Sequence, residues 1–210
     1  MNPHRTIARS AATALVTLAY VALSAASVGC GGGNNGSGST TTTVAAVFKP
    51  DTPTPAPGSI TLLPGTTSGA AVNVRVTVTG VASFFGAAFH ITYDGTALLF
   101  NGMDDSTSFL RTAPGVTAND VIFLVDSTTT PGELVVTATL KDPALVGPVD
   151  VTTTKDLVIL NFVARKAIAP LAGEGRVDFA DPRQVCDGTV VGSGCGPITV
   201  TWKGGGVSAQ

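Results

Sequence analysis

Residues 72–79 read VNVRVTVT, and residues 86–94 read GAAFHITYD. In both stretches apolar residues alternate with polar or small ones, and the valines of the first stretch occupy every second position. Because successive side chains of a strand point to opposite faces, this period of two predicts half-buried strands that each turn one face to a core. The turn dipeptide Asp94-Gly95 ends the second strand.

Short apolar runs recur along the rest of the chain, and dipeptides such as Pro-Gly, Asp-Pro and Gly-Pro separate nearly all of them. No segment carries a sustained apolar stripe of helical period, and residues 104–110 are the best place for a single helical turn. Many short strands between turns predict an all-β fold, an antiparallel β-sandwich with about nine strands. The further predicted strands are 60–63, 98–101, 109–112, 121–126, 134–140, 157–165, 175–179 and 198–202.

The N-terminal residues have the layout of an export signal, with basic residues before a small-apolar run from Ala11 to Ala26. The following Ser27-Val28-Gly29-Cys30 resembles the lipobox of bacterial lipoproteins, in which the cysteine is lipidated after cleavage. This resemblance implies a signal peptide over residues 1–29, a lipid anchor on Cys30 and a location at the outer membrane or cell surface. Cleavage by ordinary signal peptidase is the alternative, and it would leave Cys30 as a free thiol.

The segment after Cys30 has the composition of a linker. Residues 31–43 are only Gly, Asn, Ser and Thr, and residues 49–58 contain four prolines. Neither part buries enough apolar surface to fold by itself. We therefore predict a tether over residues 30–58 and one domain over residues 59–207, which is an ordinary length for a single domain.

Charge and residue types exclude several function classes. The formal net charge is −2 and basic residues are not clustered, so we expect no nucleic acid partner and contact with a membrane only through the anchor. His90 is the only histidine after the signal, and no Gly-x-Ser-x-Gly motif occurs. We predict that the chain is not an enzyme and needs no cofactor. Asp104 and Asp105 carry oxygen ligands for calcium, but no spaced Asp-x-Asp-x-Asp-Gly loop supports a metal site.

Cys186 and Cys195 lie in a short glycine-rich stretch before the last strand. In an exported protein, two cysteines this close in sequence predict a disulfide. Zinc would need two further ligands, and no histidine lies near. The bridge would stabilise the loop by about 2–3 kcal/mol in the chain-entropy description.

The order of the predicted elements resembles that of the cohesin family. The elements that carry the resemblance are the strands at 72–79 and 86–94, the Leu-Leu-Phe at 98–100, and the strands at 121–126, 160–164 and 198–201. The resemblance covers most of residues 59–203. It implies a jelly-roll β-sandwich that receives dockerin modules and is related in fold to carbohydrate-binding modules. The implied role is protein docking or carbohydrate binding linked to polysaccharide breakdown. A structural envelope or adhesion domain with neither ligand is the alternative.

In cohesins the dockerin lies on one sheet, and outward polar residues of the strand that leads to Tyr-Asp supply hydrogen bonds. In this sequence the corresponding positions are Gly86, Ala88, His90 and Thr92. Gly86 and Ala88 have neither an amide nor a carboxylate, which departs from the family pattern. His90 and Thr92 are therefore the polar residues expected on a partner-binding face.

Side-chain parity predicts further outward residues on two other strands. In residues 120–126 the two charged end residues are expected to face solvent, and Ile122 and Leu124 fall on the same side of the strand as these ends. In the strand that contains Phe162, an inward Phe162 places Leu157 and Ile159 on the outward side. If both strands lie in one sheet, as in cohesins, these four apolar residues form an exposed contact surface beside His90. Burial of the strands on both faces is the alternative.

Binding of a glycan through ring stacking requires exposed aromatic rings. Most aromatic residues of the domain share parity with core positions and are predicted to be buried: Phe89, Tyr93, Phe123, Phe162 and Trp202. Because Phe84 and Phe85 are adjacent, one of them is expected to point outward. Phe84 is the candidate for glycan stacking.

Overall fold

A computed structural model describes residues 44–170, 173–191 and 194–210, which contain fourteen strands and one short α-helix. The predicted signal peptide, Cys30 and residues 31–43 of the predicted tether lie outside the described residues. A helix suited to crossing a membrane is not found among the described residues.

The strands are short and follow one another closely, as the breakers in the sequence predict. In chain order they are β1 (Ala46–Pro50), β2 (Ser59–Ser68), β3 (Ala71–Thr79), β4 (Val81–Phe84), β5 (Gly86–Tyr93), β6 (Leu98–Asp104), β7 (Val121–Asp126), β8 (Glu133–Leu140), β9 (Val149–Val151), β10 (Lys155–Ala164), β11 (Arg176–Val191), β12 (Gly194–Pro197), β13 (Thr201–Lys203) and β14 (Gly205–Ala209). The helix α1 spans Phe109–Thr112, and two 3-10 turns span Ala118–Asp120 and Gly173–Gly175.

Two sheets enclose the core. The larger sheet has the strand order β1-β14-β11-β5-β8-β7, and β12 pairs with the far end of β11. The smaller sheet has the order β13-β2-β3-β10-β6, while β4 and β9 form a separate pair. Every pairing is antiparallel except that of β13 with β2. The predicted all-β antiparallel sandwich is confirmed, with fourteen strands in the described residues where about nine were predicted.

The alternating stretches of the sequence supply the centre of this core. The valines at every second position of β3 are fully buried, as are Phe89 and Ile91 on β5. Phe162 on β10 receives the ring edges of Tyr93 and Phe100, with ring centroids 5.3 and 5.7 Å away. Large apolar side chains buried in this way stabilise a fold by about 1.5–3 kcal/mol each. The interior between the two sheets therefore carries most of the stability.

The folded domain begins earlier than the predicted residue 59, because residues 46–50 form β1 rather than part of a tether. Ala46 and Phe48 point into the core and are almost fully buried. The ring of Phe48 lies against Gly205 so closely that a Cβ there would be 2.3 Å from it. The sequence does not predict this strand, because the alternation covers only five residues and a proline-rich stretch follows it.

Two predicted strands differ in the structure. Residues 109–112 form α1, where Ser108 Oγ accepts a hydrogen bond from the Leu110 N–H and both Phe109 and Leu110 are buried. The last predicted strand, 198–202, begins only at Thr201. In both places the sequence has a short apolar run, and such a run is compatible with a strand and equally with another kind of buried segment.

Candidate functional site

The outward face of the larger sheet contains the residues predicted for partner binding on β5. On this strand Ala87, Phe89 and Ile91 are buried, whereas Ala88 and Thr92 are exposed. His90 is half-buried on the outward side, and its cross-strand neighbour on β8 is Val135. The face of β5 therefore presents a small residue, an imidazole and a hydroxyl in sequence.

Ile122 and Leu124 on β7 lie on the same outward face. Ile122 is opposite Thr139 of β8, and Leu124 is opposite Thr137. Leu124 has 62% of its surface exposed, and it is the only strand residue of the larger sheet besides Val47 among the large exposed apolar residues of the described chain. With the half-buried Ile122 two residues earlier, it forms a small apolar patch on this face.

His90 and Glu133 are in hydrogen-bonding contact on this face, between His90 Nδ1 and Glu133 Oε1. The two side chains are about four-fifths buried, with exposed fractions of 20% and 23%. The strand register places Glu133 opposite Thr92 and not opposite His90, so the contact runs diagonally between β5 and β8. This contact fixes the imidazole beside Val135.

Asp126 ends β7 two residues after Leu124. Its carboxylate accepts hydrogen bonds from Thr129 Oγ1, from the Thr128 N–H and from Thr128 Oγ1, at 2.6–2.8 Å. These hydrogen bonds, that from Thr129 first, lower the pKa of Asp126 to about 2. The carboxylate is thus ionised at physiological pH and stands beside the exposed leucine.

Gly86 has no room for a side chain. A Cβ on Gly86 would lie 2.4 Å from Thr139 Oγ1 and 2.9 Å from the Thr139 Cα on the neighbouring strand β8. Ala88, two residues on, is exposed. The departure from the cohesin pattern seen in the sequence at Gly86 therefore follows from the close approach of β5 and β8.

The predicted apolar stripe of Ile122, Leu124, Leu157 and Ile159 is wrong, because β10 belongs to the smaller sheet. Ile159 is half-buried on the outer side of that sheet, away from Ile122 and Leu124. Leu157 is fully buried, since a register shift between Asp156 and Val158 interrupts the alternation of β10. Only Ile122 and Leu124 remain on the face with His90.

The prediction that Phe84 is exposed for glycan stacking is also wrong. Phe84 is fully buried, and its ring meets that of Phe109 edge-on at a centroid distance of 5.2 Å. The neighbouring Phe85 is buried as well. Ser83, with φ of 54°, and a register shift within β4 break the alternation on which the prediction depended.

The disulfide between Cys186 and Cys195 is present, with the two Cα atoms 5.5 Å apart, and its prediction is confirmed. It links β11 to β12 at one end of the outward face, where Cys186 is opposite both Gly86 and Pro197. Gln184 Nε2 donates a hydrogen bond to Cys195 Sγ at 3.2 Å. The bridge therefore lies beside the part of β11 that pairs with β5.

A depression of about 440 Å³ lies on this face between β5 and the end of β11. It forms where the register of β11 against β5 shifts between Ala180 and Gln184. The residues that line it are Ala88, Phe89, His90, Val135, Pro182, Arg183, Gln184 and Pro197. One sequence signal points to it, the Asp181-Pro182 dipeptide inside β11, because proline within a strand marks an edge or an irregularity.

Aspartates considered for calcium serve as turn acceptors. Asp94 accepts hydrogen bonds from the Thr96 hydroxyl and N–H, and Asp104 accepts one from the Ser106 N–H. These bonds lower the pKa of both carboxyls. In residues 44–170, 173–191 and 194–210, no group of three His, Cys, Asp or Glu residues is arranged to hold a metal ion.

A family model described as Cohesin domain matches residues 59–181, more than half of the chain. No curated protein matches significantly. Similar solved structures include the sixth cohesin of Acetivibrio cellulolyticus scaffoldin B in complex with a mutant Cel5 dockerin, at 23% identity, 74% coverage of this chain, 92% of that chain and a TM-score of 0.46.

Two further solved structures are similar. The cohesin CaCohA2 of Clostridium acetobutylicum is 23% identical, with 69% of this chain and 92% of that chain covered and a TM-score of 0.44. The cohesin module of a Clostridium perfringens family 33 glycoside hydrolase is 14% identical, with 74% and 95% covered and a TM-score of 0.42.

Proposed function

The chain belongs to the cohesin family, and from this we propose that it is a receptor for a dockerin-type protein module. Cohesin domains are non-catalytic modules for protein docking, so the prediction that this chain is not an enzyme is confirmed. A cohesin of similar fold is named as bound to a dockerin in its solved structure, which agrees with the proposed class of partner.

We place the docking surface on the outward face of β5, β8 and β7, and the exposed Leu124 is the observation that carries this assignment. Leu124, with 62% of its surface exposed, and the half-buried Ile122 form an apolar pair on β7, the edge strand of the sheet. Protein interfaces typically combine apolar and polar groups. The polar residues of the same face are Thr92, Asp126, Thr137, Thr139 and the His90–Glu133 pair.

Polysaccharide is the second family-implied ligand, and no observation favours it. The aromatic residue expected to stack on a sugar, Phe84, is buried in the core. The rings of Phe89 and Phe179 pack against Trp202 at centroid distances of 5.7 and 4.8 Å.

Display on the cell envelope is the second part of the proposal. The lipobox-like residues before Cys30 and the glycine-rich residues 31–43 support a lipid-anchored protein at the outer membrane or cell surface. Because β1 begins at Ala46, the tether is shorter than the predicted 30–58. A coil of this length spans roughly 20 Å, which keeps the domain close to its anchor.

The test is binding of the purified protein to a panel of dockerin modules and insoluble polysaccharides, measured by calorimetry and pull-down. Leu124→Asp is the diagnostic variant, and Leu99→Asp is the control, because Leu99 is 42% exposed on a strand of the smaller sheet. Dockerin binding that Leu124→Asp abolishes and Leu99→Asp preserves supports the proposal. Polysaccharide binding alone, or no binding, overturns it; the second result favours a structural envelope or adhesion domain.

A further inference from the structure

We infer that two copies of this chain associate through the free edge of β7, so that their larger sheets join into one continuous sheet. The second copy lies antiparallel to the first and is related to it by a two-fold axis. β7 is the last strand of the larger sheet, and among the described strands it pairs with β8 alone. The contact uses the edge of the sheet and not its outward face, and it does not depend on the proposed docking function.

The edge of β7 carries backbone groups that can bind another strand. The Lys141 N–H donates a hydrogen bond to the Asp120 carbonyl at 2.8 Å, which extends the ladder between β8 and β7. Because alternate residues of an antiparallel strand bond to the same neighbour, the N–H and C=O groups of Val121, Phe123 and Val125 point away from β8. Among the described residues, no other segment forms a backbone hydrogen bond with these groups. An edge of this kind is a template for a further strand.

Two other edge strands of the sandwich are closed, and β7 is not. On β1, the Ala46 N–H donates to the Gly69 carbonyl at 2.8 Å, and the strand ends at Pro50, which has no N–H. On β6, Gly102 has φ of 104°, and the pairing with β10 shifts register. Such a bulge protects an edge from pairing. β7 contains neither proline nor glycine, and its register with β8 is continuous.

A two-fold axis through Phe123 matches β7 to itself. Antiparallel pairing about this axis places Val121 opposite Val125 of the second copy, and Phe123 opposite its own copy. These are the residues whose backbone groups point away from β8, so each pair can exchange both of its N–H···O bonds. On the outward face, the same register places Ile122 opposite Leu124 of the second copy, and such apolar cross-strand pairs are stabilising. This self-complementarity identifies a second copy of the chain as the occupant of the edge.

The charges at the ends of β7 fit the same register. It places Asp126 of the second copy opposite Asp120, whose neighbour on β8 is Lys141. In the part of the chain that the structure describes, Lys141 forms no ion pair. Two strand spacings, about 10 Å, separate Lys141 from Asp126 of the second copy, and the four-carbon stem of lysine can bridge much of this distance. Attraction to Lys141 therefore offsets the repulsion between the two aspartates.

The contact is small, so we expect a weak dimer. β7 has only six residues, and the pairing of two such strands buries less surface than the roughly 1,600 Å² of a typical stable interface. A dissociation constant of about 10–100 μM is therefore expected. Association of this strength appears as a shift from monomer to dimer as the protein concentration rises.

The test is sedimentation velocity of the purified protein over a range of concentrations, without any dockerin. The protein carries Cys30→Ser, so that a disulfide between copies does not imitate the contact. Val125→Pro removes an N–H that points away from β8, and the ladder to β8 does not need that group. Val125→Ala is the matched control, because it shortens the same side chain and keeps the N–H. We expect Val125→Pro to raise the dissociation constant at least about tenfold, and Val125→Ala less than about threefold.

A second pair of variants tests the charges. Lys141→Ala should raise the dissociation constant about threefold, because the two aspartates then repel each other without an offsetting cation. Lys155→Ala is the control, since Lys155 is exposed on β10 of the smaller sheet. It should leave the dissociation constant unchanged.

Thermal unfolding of each variant separates loss of association from loss of folding. If Val125→Pro lacks a cooperative transition, the double variant Ile122→Cys/Leu124→Cys replaces it. The two-fold register brings these positions to a Cα distance of about 4.5 Å across the axis, within the range of a disulfide. Mild oxidation should then give covalent dimers.

A protein that stays monomeric up to about 1 mM overturns the inference. So does a dimer that Val125→Pro weakens no more than Val125→Ala, or one that the paired cysteines do not link. Neither result bears on the docking function, which is measured separately by dockerin binding and its loss in Leu124→Asp.

Discussion

Arg176 on β11 donates hydrogen bonds from both terminal nitrogens to the carboxylate of Asp51, at 2.7 and 2.9 Å, across 125 residues of sequence. Asp51 is the first residue after β1, where the chain leaves the larger sheet for β2 in the smaller one. The Arg176–Asp51 ion pair therefore connects this crossover to β11. The hydrogen bonds from Arg176 also lower the pKa of Asp51.

Asp51→Asn should destabilise the fold by about 0.5–1 kcal/mol at neutral pH, a small effect because the pair is about two-fifths exposed. Because the folded pKa of Asp51 is below the unfolded value of about 3.9, its contribution is complete above that value and disappears as pH falls through the folded pKa. Urea unfolding at pH 7 and below pH 3 should show the difference between variant and wild type shrinking. A difference that stayed constant with pH would argue against the ion pair.

Phe48→Ala should destabilise the protein by about 3–5 kcal/mol, because it leaves a cavity where β1 enters the core. The neighbouring Val47 points outward and is 53% exposed, so Val47→Ala is the matched control and should change stability by less than about 0.5 kcal/mol. Chemical denaturation of both variants measures this. Equal stabilities would mean that β1 is not an integral strand of the domain.

Gly86→Ala should destabilise the protein by about 1–3 kcal/mol, since the new Cβ would overlap Thr139 on the adjacent strand. Ala88→Ser changes an exposed residue of the same strand and should be nearly neutral. Melting temperatures of the two variants provide the comparison. A tolerated alanine at position 86 would show that β5 and β8 separate more easily than their spacing suggests.

The Asp126 carboxyl should titrate with a midpoint near 2 in an NMR pH titration of the folded protein. Thr129→Val removes the hydrogen bond that lowers the pKa most, so its midpoint should move up toward the ordinary value of about 3.9. Asp126 is exposed to solvent, so its titration is followed by its chemical shift and not by the free energy of unfolding. An unchanged midpoint in Thr129→Val would show that the hydrogen bond from Thr129 does not lower the pKa of Asp126.

Cys30→Ser should abolish lipid labelling when the chain is expressed in a bacterium fed with labelled palmitate, because the thiol is the proposed acceptor. Its control is Cys186→Ser/Cys195→Ser, which removes the other cysteines and should leave labelling intact. N-terminal sequencing of the mature protein gives an independent check. A free N-terminus at Ser27 would establish cleavage by ordinary signal peptidase instead.

The core of the fold follows directly from local sequence, and the assignment of residues to sheets does not. The valines of β3 and the alternating residues of β5 show which side chains are buried, because the period of two is a property of each strand alone. Which strands share a sheet depends on pairing between distant segments, so placing Leu157 and Ile159 with Ile122 relied on family resemblance and was wrong.

The errors at single residues have local causes that leave no clear signal in the sequence. Leu157 lies at the register shift in β10, and Phe84 follows Ser83 with its positive φ. In each case the irregularity turns the side chain to the opposite side from the one predicted. The depression beside His90 was missed for a different reason. It is formed by Pro182, Gln184 and Pro197, which converge only because β11 changes register and β12 folds back on it.

The first and last residues of the domain lie side by side, since Ala45 and Gln210 exchange backbone hydrogen bonds at 2.7 and 3.2 Å. They leave from the β1 edge of the larger sheet, and β7 with Leu124 forms the opposite edge, five strand spacings or about 24 Å away. Adjacent termini are what permit a domain to be spliced into a surface loop of a host protein. This domain is therefore suited to insertion into a surface loop of a host protein, with its Leu124 edge directed away from the point of insertion.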